Sequence, residues 1–248
     1  MPAPVKPPIA LRDLPRDRRG YIVPAEATWN GDVPDLGRNR PETNFCLAAT
    51  GSCVVCGLQN VDELVWRIFN EDDLQNAERE LSVQGAFSER MYGGHKSCML
   101  YSALVCPYWA TENARLTKDS QWAPGAKRGK QCALIGVTNV DILFDSSGRL
   151  ELAETMFLYT EPGVVIRFSE PETELLPIYE QAIRDEKARS LNKRVYFGPD
   201  HGGERRLTRL VSRAVAALKE DSSARLPDIR FRFEEVVASK ARFRTPWI

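Results

Sequence analysis

The 248-residue chain sets 34 Lys and Arg against 34 Asp and Glu, with 43% hydrophobic and 27% charged residues. This is a globular composition whose zero net charge selects neither a polyanionic nor a cationic partner for the chain as a whole. No stretch reaches the roughly 18 to 20 uninterrupted apolar residues of a membrane span, and MPAPVKPPIALRDLPRDRRG lacks the apolar run of a secretion signal.

A soluble, cytoplasmic protein without a membrane partner is therefore expected, its six cysteines reduced. In that setting a close cysteine pair reads as a ligand set before it reads as a disulfide.

Residues 1–45 are rich in Pro, Arg and Asp and sustain no period of 3.6 or 2, which predicts an extended arm that wraps its own domain or a partner. Residues 46–130 bear the cysteines and are interrupted by EDDLQNAERELSVQGAFSER, whose spacing predicts a helix near 71–83. Two runs, CALIGVTNVDILF (132–144) and TMFLYTEPGVVIRF (155–168), are β-branched and aromatic, each with an internal turn signal. They predict short antiparallel strands, forming a small sheet within 131–190. Ser169 and the acids after it look like a helix start. In 191–248, RRLTRLVSRAVAALKE places apolar residues at 207, 210, 211, 214, 215 and 218, the stripe of an amphipathic helix.

The chemistry concentrates in Cys53-Val-Val-Cys56-Gly57 and His95-Lys-Ser-Cys98. A C-x2-C-G turn lets two thiolates face one point, with glycine permitting the tight backbone. A His-x2-Cys pair at a helix start puts both side chains on one face. Four N/S donors in two pairs suit tetrahedral zinc, and with every position filled by protein the zinc would be structural. Cys106 is a substitute ligand only if the helix breaks before Pro107, because eight helical residues from Cys98 span about 12 Å. Four cysteines, one of them in a Cys-Pro pair, also leave an iron-sulfur redox centre as an alternative. Cys46 and Cys132 are expected as buried core thiols, and no role is read for Lys96.

The motifs DLPRDRRGYIVP (13–24), NGDVPD, CVVCG and GGHKSCMLYSALVCPYW together resemble a family of actinobacterial and phage-associated proteins without an established activity, and the similarity runs from about Leu14 to about Ile183. The chain departs from that pattern at Ile22, in the acidic insertion near 70–90, and beyond about residue 190. A knuckle and a helix start that supply two ligands each also resemble treble-clef zinc modules, some of which are HNH-type nucleases. Such a nuclease needs a histidine base apart from the zinc ligands. If His95 ligates, only His201 remains, expected as a solvated side chain in a Gly-rich turn. There is no G-x-S-x-G, P-loop or G-x-G-x-x-G, so no catalytic residue is assigned.

The neutral total conceals an uneven distribution. From Arg184 to the end, 16 Lys and Arg face 9 Asp and Glu, a net of +7. Arg205, Arg206, Arg209 and Arg213 recur at helical spacing, while Arg230, Arg232, Arg242 and Arg244 interleave with Phe231, Phe233, Phe243 and Trp247. Basic groups neutralise phosphates and aromatics stack on exposed bases, so these eight arginines are the candidate nucleic-acid contacts. The expectation is an α+β, non-catalytic zinc protein with a treble-clef-like module, a small antiparallel sheet and C-terminal helices. It would be a nucleic-acid-binding subunit of a bacterial or phage-related complex, for example an RNA-guided defence effector. The alternative is a scaffold that engages protein partners through its arm or tail.

Overall fold

A computed structural model describes residues 5–60, 63–116, 125–145, 156–186, 194–199, 201–222 and 240–244. The architecture is α+β, as expected. The N-terminal arm holds a 3-10 turn (Ile9–Leu11) and a hairpin of β1 (Ala27–Asn30) and β2 (Val33–Asn39). It wraps its own domain: Leu11, Val23 and Ala25 are buried in the core. Helix α1 (Pro41–Ala49) follows, crossing the position where the arm was expected to end.

The central sheet is antiparallel, in the order β3 (Val65–Phe69), β5 (Cys132–Asp145), β6 (Met156–Phe168), β4 (Ala86–Glu89), with β7 (Lys240–Arg244) added to β5 beyond β3. The two runs expected as short strands are instead one long strand each, paired from Cys132↔Phe168 to Leu143↔Met156. Their turn signals are absorbed as an irregularity between Gly136 and Val137, where Trp66 of β3 lies so close that a Cβ on Gly136 would meet its indole at 2.9 Å. Packing of an aromatic ring onto the strand overrides the local turn preference.

Helix α2 (Glu71–Gln84) forms where expected. Asn70 caps it by accepting from the Asp73 N–H at 2.8 Å, three acids occupy its first turn, and left-handed Gly85 ends it. Helix α3 (Lys96–Val105) stops at Cys106 before Pro107, and Pro107 opens the short α4 (Pro107–Ala110). Ser169 does not cap the next helix. Its N–H and that of Glu170 instead donate to Glu174 Oε1 at 2.8 and 2.6 Å, ahead of α5 (Pro171–Glu174) and α6 (Leu176–Arg184).

Helix α7 (His201–Ser222) carries the expected stripe, with Leu207 buried and Leu210, Val211, Ala214 and Val215 packed on the core. It rests on α1, to which Arg40 also ties it through Glu204. His201, expected in a turn, opens this helix, and the C-terminal region, expected as helical, contributes a strand as well. One core cluster joins the arm, the cysteine-bearing segment, the sheet and α7, and includes Cys46 and Cys132 as expected. No helix among the described residues is long and apolar enough to cross a membrane.

Candidate metal centre

The Cys53–Cys56 turn is built as a knuckle. Gly57 N–H donates to the Cys53 carbonyl at 2.8 Å and Cys53 N–H to the Leu58 carbonyl at 2.8 Å, which curls the chain so that both thiols point inward. Gly57 sits at φ +72°, the left-handed region glycine tolerates, and a Cβ there would lie 2.1 Å from the Val195 carbonyl oxygen. The second pair comes from the start of α3, where His95 is the N-cap and Cys98 lies in the first turn. Strand β3 holds this start in place through reciprocal bonds between Trp66 and Gly94 at 2.8 and 2.9 Å. The knuckle joins the same ladder through Val54 N–H to the Gly93 carbonyl at 3.2 Å.

These constraints bring Cys53, Cys56, His95 and Cys98 together, all buried, with one donor atom from each and all four donors within 4.8 Å of one another. His95 Nδ1 lies 3.2 Å from Cys56 Sγ and 3.8 Å from Cys98 Sγ. Bonds of about 2.1 Å to nitrogen and 2.3 Å to sulfur at tetrahedral angles give donor separations of about 3.6 to 3.8 Å, so the four donors sit around a cation-sized point. The opposite ring nitrogen settles the tautomer. Nε2 is 3.0 Å from the Gln59 carbonyl and 3.5 Å from Glu63 Oε1; both are acceptors, so Nε2 keeps its proton and Nδ1, which faces the thiols, is the nitrogen that a metal ion would take in place of its proton. Cys56 Sγ also accepts from the Leu58 N–H at 3.4 Å.

The electrostatics of the four groups suit a cation. Burial raises the Cys53 thiol, but hydrogen bonds with Cys56 and Cys98 and the nearby His95 outweigh it and hold Cys53 well below the usual thiol range. Burial opposes a charge on His95, yet Cys53 and Cys56 lift it to about 11. Cys98 is pushed up by its bonds to Cys53 and Cys56 and by burial. Negative charge collects on the Cys53 sulfur, while Cys56, raised by burial and its bond to Cys53, and Cys98 hold their protons. A metal ion supplies the same positive charge, so its binding releases protons and weakens as the pH falls.

Cys106 lies outside this group. It closes α3 and opens α4, and burial raises its thiol. Of the candidate nucleic-acid contacts, Arg205, Arg206, Arg209 and Arg213 are exposed along α7. Arg242 and Arg244 fall in β7, opposite Leu143 and Asp141. Arg230 and Arg232 lie outside the described residues. Lys96, for which the sequence offered no role, places its ammonium 5.3 Å from the Trp66 ring, a cation-π contact between α3 and β3.

Sequence reasoning missed the supports of the centre. Gln59 acts through its backbone carbonyl, which no side-chain pattern reveals. Gly94 stands against the site itself, since a Cβ there would be 2.3 Å from Cys53 Sγ; the Gly93-Gly94 pair directly before His95 was the available signal. No protein-family model, curated protein or solved structure matches the chain.

Proposed function

We propose that the protein is a non-catalytic, cytoplasmic zinc-binding protein that presents an arginine face to nucleic acid within a larger bacterial or phage-related complex. The zinc reading is carried by the buried Cys3His group, with its histidine tautomer set by Gln59. Borderline-soft zinc favours this donor set, and four protein donors leave no position for a reacting water, which makes its role structural. The meeting of a knuckle with the first turn of a helix supports a treble-clef-like module, and with it the kinship to the actinobacterial and phage-associated family.

The centre is a junction of chain segments. Ala25 and Glu26 of the arm donate to the Val55 and Val54 carbonyls at 2.9 Å, and Val195 N–H donates to the Gly57 carbonyl at 2.8 Å. Zinc therefore fixes both the arm and the segment that leads into α7.

The nucleic-acid reading is supported by the division of α7 into two faces. Leu207, Leu210, Val211, Ala214 and Val215 dock on the core while Arg205, Arg206, Arg209 and Arg213 face solvent. Elemental analysis is expected to give about one zinc per chain, and iron with a brown colour would overturn the zinc assignment. Changing the four α7 arginines to Gln is expected to flatten the slope of log K against log salt by about 0.7 per lost contact on single strands and about 0.9 on duplex. An unchanged slope and affinity would remove the nucleic-acid reading.

A scaffold role is favoured by a different observation. β6 is paired by β4 only over its first part, and Val164 and Val165 in its second part are 43% and 45% exposed. Such a strand edge can accept a partner strand. A scaffold would copurify with a protein and show no salt slope on nucleic acid.

A further inference from the structure

The motif LPRDRRGY, read from the sequence as part of an extended arm and as one of the motifs of the family resemblance, is folded into a fixed turn. Arg16 bridges Ile22, Asp17 N–H donates to the Tyr21 carbonyl at 2.8 Å, and Gly20 N–H returns to the Asp17 carbonyl at 2.9 Å. Asp17 is the keystone. Its Oδ1 accepts from the Arg19 and Tyr21 N–H groups, each at 2.9 Å, and its Oδ2 from Arg19 Nε at 2.8 Å. Gly20 takes the positive φ the turn requires. Arg19 then lies 5.2 Å from the Tyr21 ring centroid, and Arg16 Nη1 donates to the Gly20 carbonyl at 2.7 Å.

Both acids of DLPRDRRGYIVP (13–24) are engaged by arginines. The Asp17 side chain is 6% exposed and engaged by Arg19. Asp13 is engaged by Arg194, whose Nη1 lies 2.9 Å from Asp13 Oδ1. Arg12, Arg16, Arg18 and Arg19 are all exposed. The side chains of Arg12 and Arg18 make no hydrogen bond or ion pair among the described residues, although the Arg12 backbone N–H donates to the Ile9 carbonyl at 3.3 Å. The result is a rigid, positively charged loop, and a preorganised loop loses less conformational freedom on binding than a mobile arm would.

Its position joins it to α7. Arg194 also donates through Nη2 to the Ala10 carbonyl at 2.8 Å, and its own carbonyl accepts from Arg206 Nη2 at 3.1 Å. Tyr196 Oη donates to the Val23 carbonyl at 3.3 Å. One residue, Arg194, therefore stands between Asp13 at the base of the turn and Arg206 on the basic face of α7.

We propose that Arg12 and the Arg16–Ile22 turn form a second contact for the phosphate backbone of a nucleic acid, continuous through Arg194 with the arginine face of α7. The inference rests on the nucleic-acid reading above and adds the arm to the binding surface. Phosphates need point charges in register and no base-specific group, which is what exposed arginines on a fixed turn supply.

The test measures binding of a labelled oligonucleotide, single-stranded and duplex, to the full chain across a salt series. The double variant Arg12→Gln/Arg18→Gln is expected to keep its metal content and melting temperature, because neither side chain holds another residue. Its salt slope should flatten by about 1.4 on single strands and about 1.8 on duplex, with affinity near 0.1 M salt falling about 25-fold and about 60-fold. Arg12→Lys/Arg18→Lys keeps the charges and should keep the slope. Arg18→Glu alone, at the tip of the turn, should weaken binding in the same direction. If the α7 Gln variant loses affinity while the turn variants bind like wild type, the turn is not a contact and the α7 reading stands. If wild type shows no salt-dependent binding to either oligonucleotide, the nucleic-acid reading falls and the turn with it.

Discussion

Among single residues, the partly buried Glu89 carboxyl in the sheet is the least expected feature. Glu89 on β4 is raised to about 7, chiefly by burial, with Asp73 and Glu80 adding to the effect and Arg67 opposing it. A carboxyl whose folded pKa lies above its ordinary 4.5 stabilises the fold fully below the lower value, and that contribution is lost as pH rises through the higher one. Between about pH 6 and pH 8.5 the loss amounts to about 1.4 kcal/mol. Urea unfolding of the zinc-saturated protein should show wild type losing this much relative to Glu89→Gln over that interval. Parallel curves would mean that Glu89 is solvated and ionised in the native state. None of this was legible in the sequence, where Glu89 sits in an acidic stretch that reads as surface. The four candidate metal ligands were legible because C-x2-C-G and H-x2-C each state a local geometry. What brings the two pairs together was not, since the Trp66–Gly94 ladder and the Gln59 carbonyl are backbone contacts that only the folded chain creates.

At the scale of elements, the knuckle is a hub for segments far apart in sequence, so loss of the metal should be felt selectively. The amides of Ala25, Glu26, Val54 and Val195 all bond at or across the knuckle. The β5–β6 ladder from Asn139↔Thr160 to Leu143↔Met156 relies on its own backbone pairing and on aromatic packing such as the Phe87–Tyr159 stack at 4.9 Å. Structural zinc and local folding are coupled. Chelation followed by hydrogen exchange should therefore strip protection from those four amides first, while the β5–β6 amides exchange slowly. Uniform loss would show one cooperative unit, and unchanged protection would show that the cluster is held without metal. Cys56→Ser should reproduce the chelated pattern. Helix α2 and the stripe of α7 were readable because their caps and periods are local, whereas β5 and β6 each hid a long strand behind turn signals that Trp66 packing overrides.

For the molecule as a whole, the uneven charge of the chain and its larger core cluster meet at α7. The sequence showed an amphipathic helix with a basic face but not what its apolar side covers. The helix lies on α1, pinned by Arg40 to Glu204 and by Arg206 to the Arg194 carbonyl. Leu207 is 2% exposed within this contact, while Arg205, Arg209 and Arg213 on the other side are exposed. Truncating a buried leucine costs about 2 to 5 kcal/mol, whereas an exposed substitution with no partner changes stability by roughly 0.5 kcal/mol or less. Leu207→Ala should therefore lower the midpoint of unfolding clearly while Arg209→Gln and Arg213→Gln leave it in place, and zinc content should be full in all three. Salt-dependent binding should show the reverse ranking when measured well below the Leu207→Ala midpoint, because that variant keeps every arginine. If Leu207→Ala unfolded no more easily than the arginine variants, α7 would not be docked on the core, and the basic face would be a mobile appendage without a fixed relation to the Cys3His cluster.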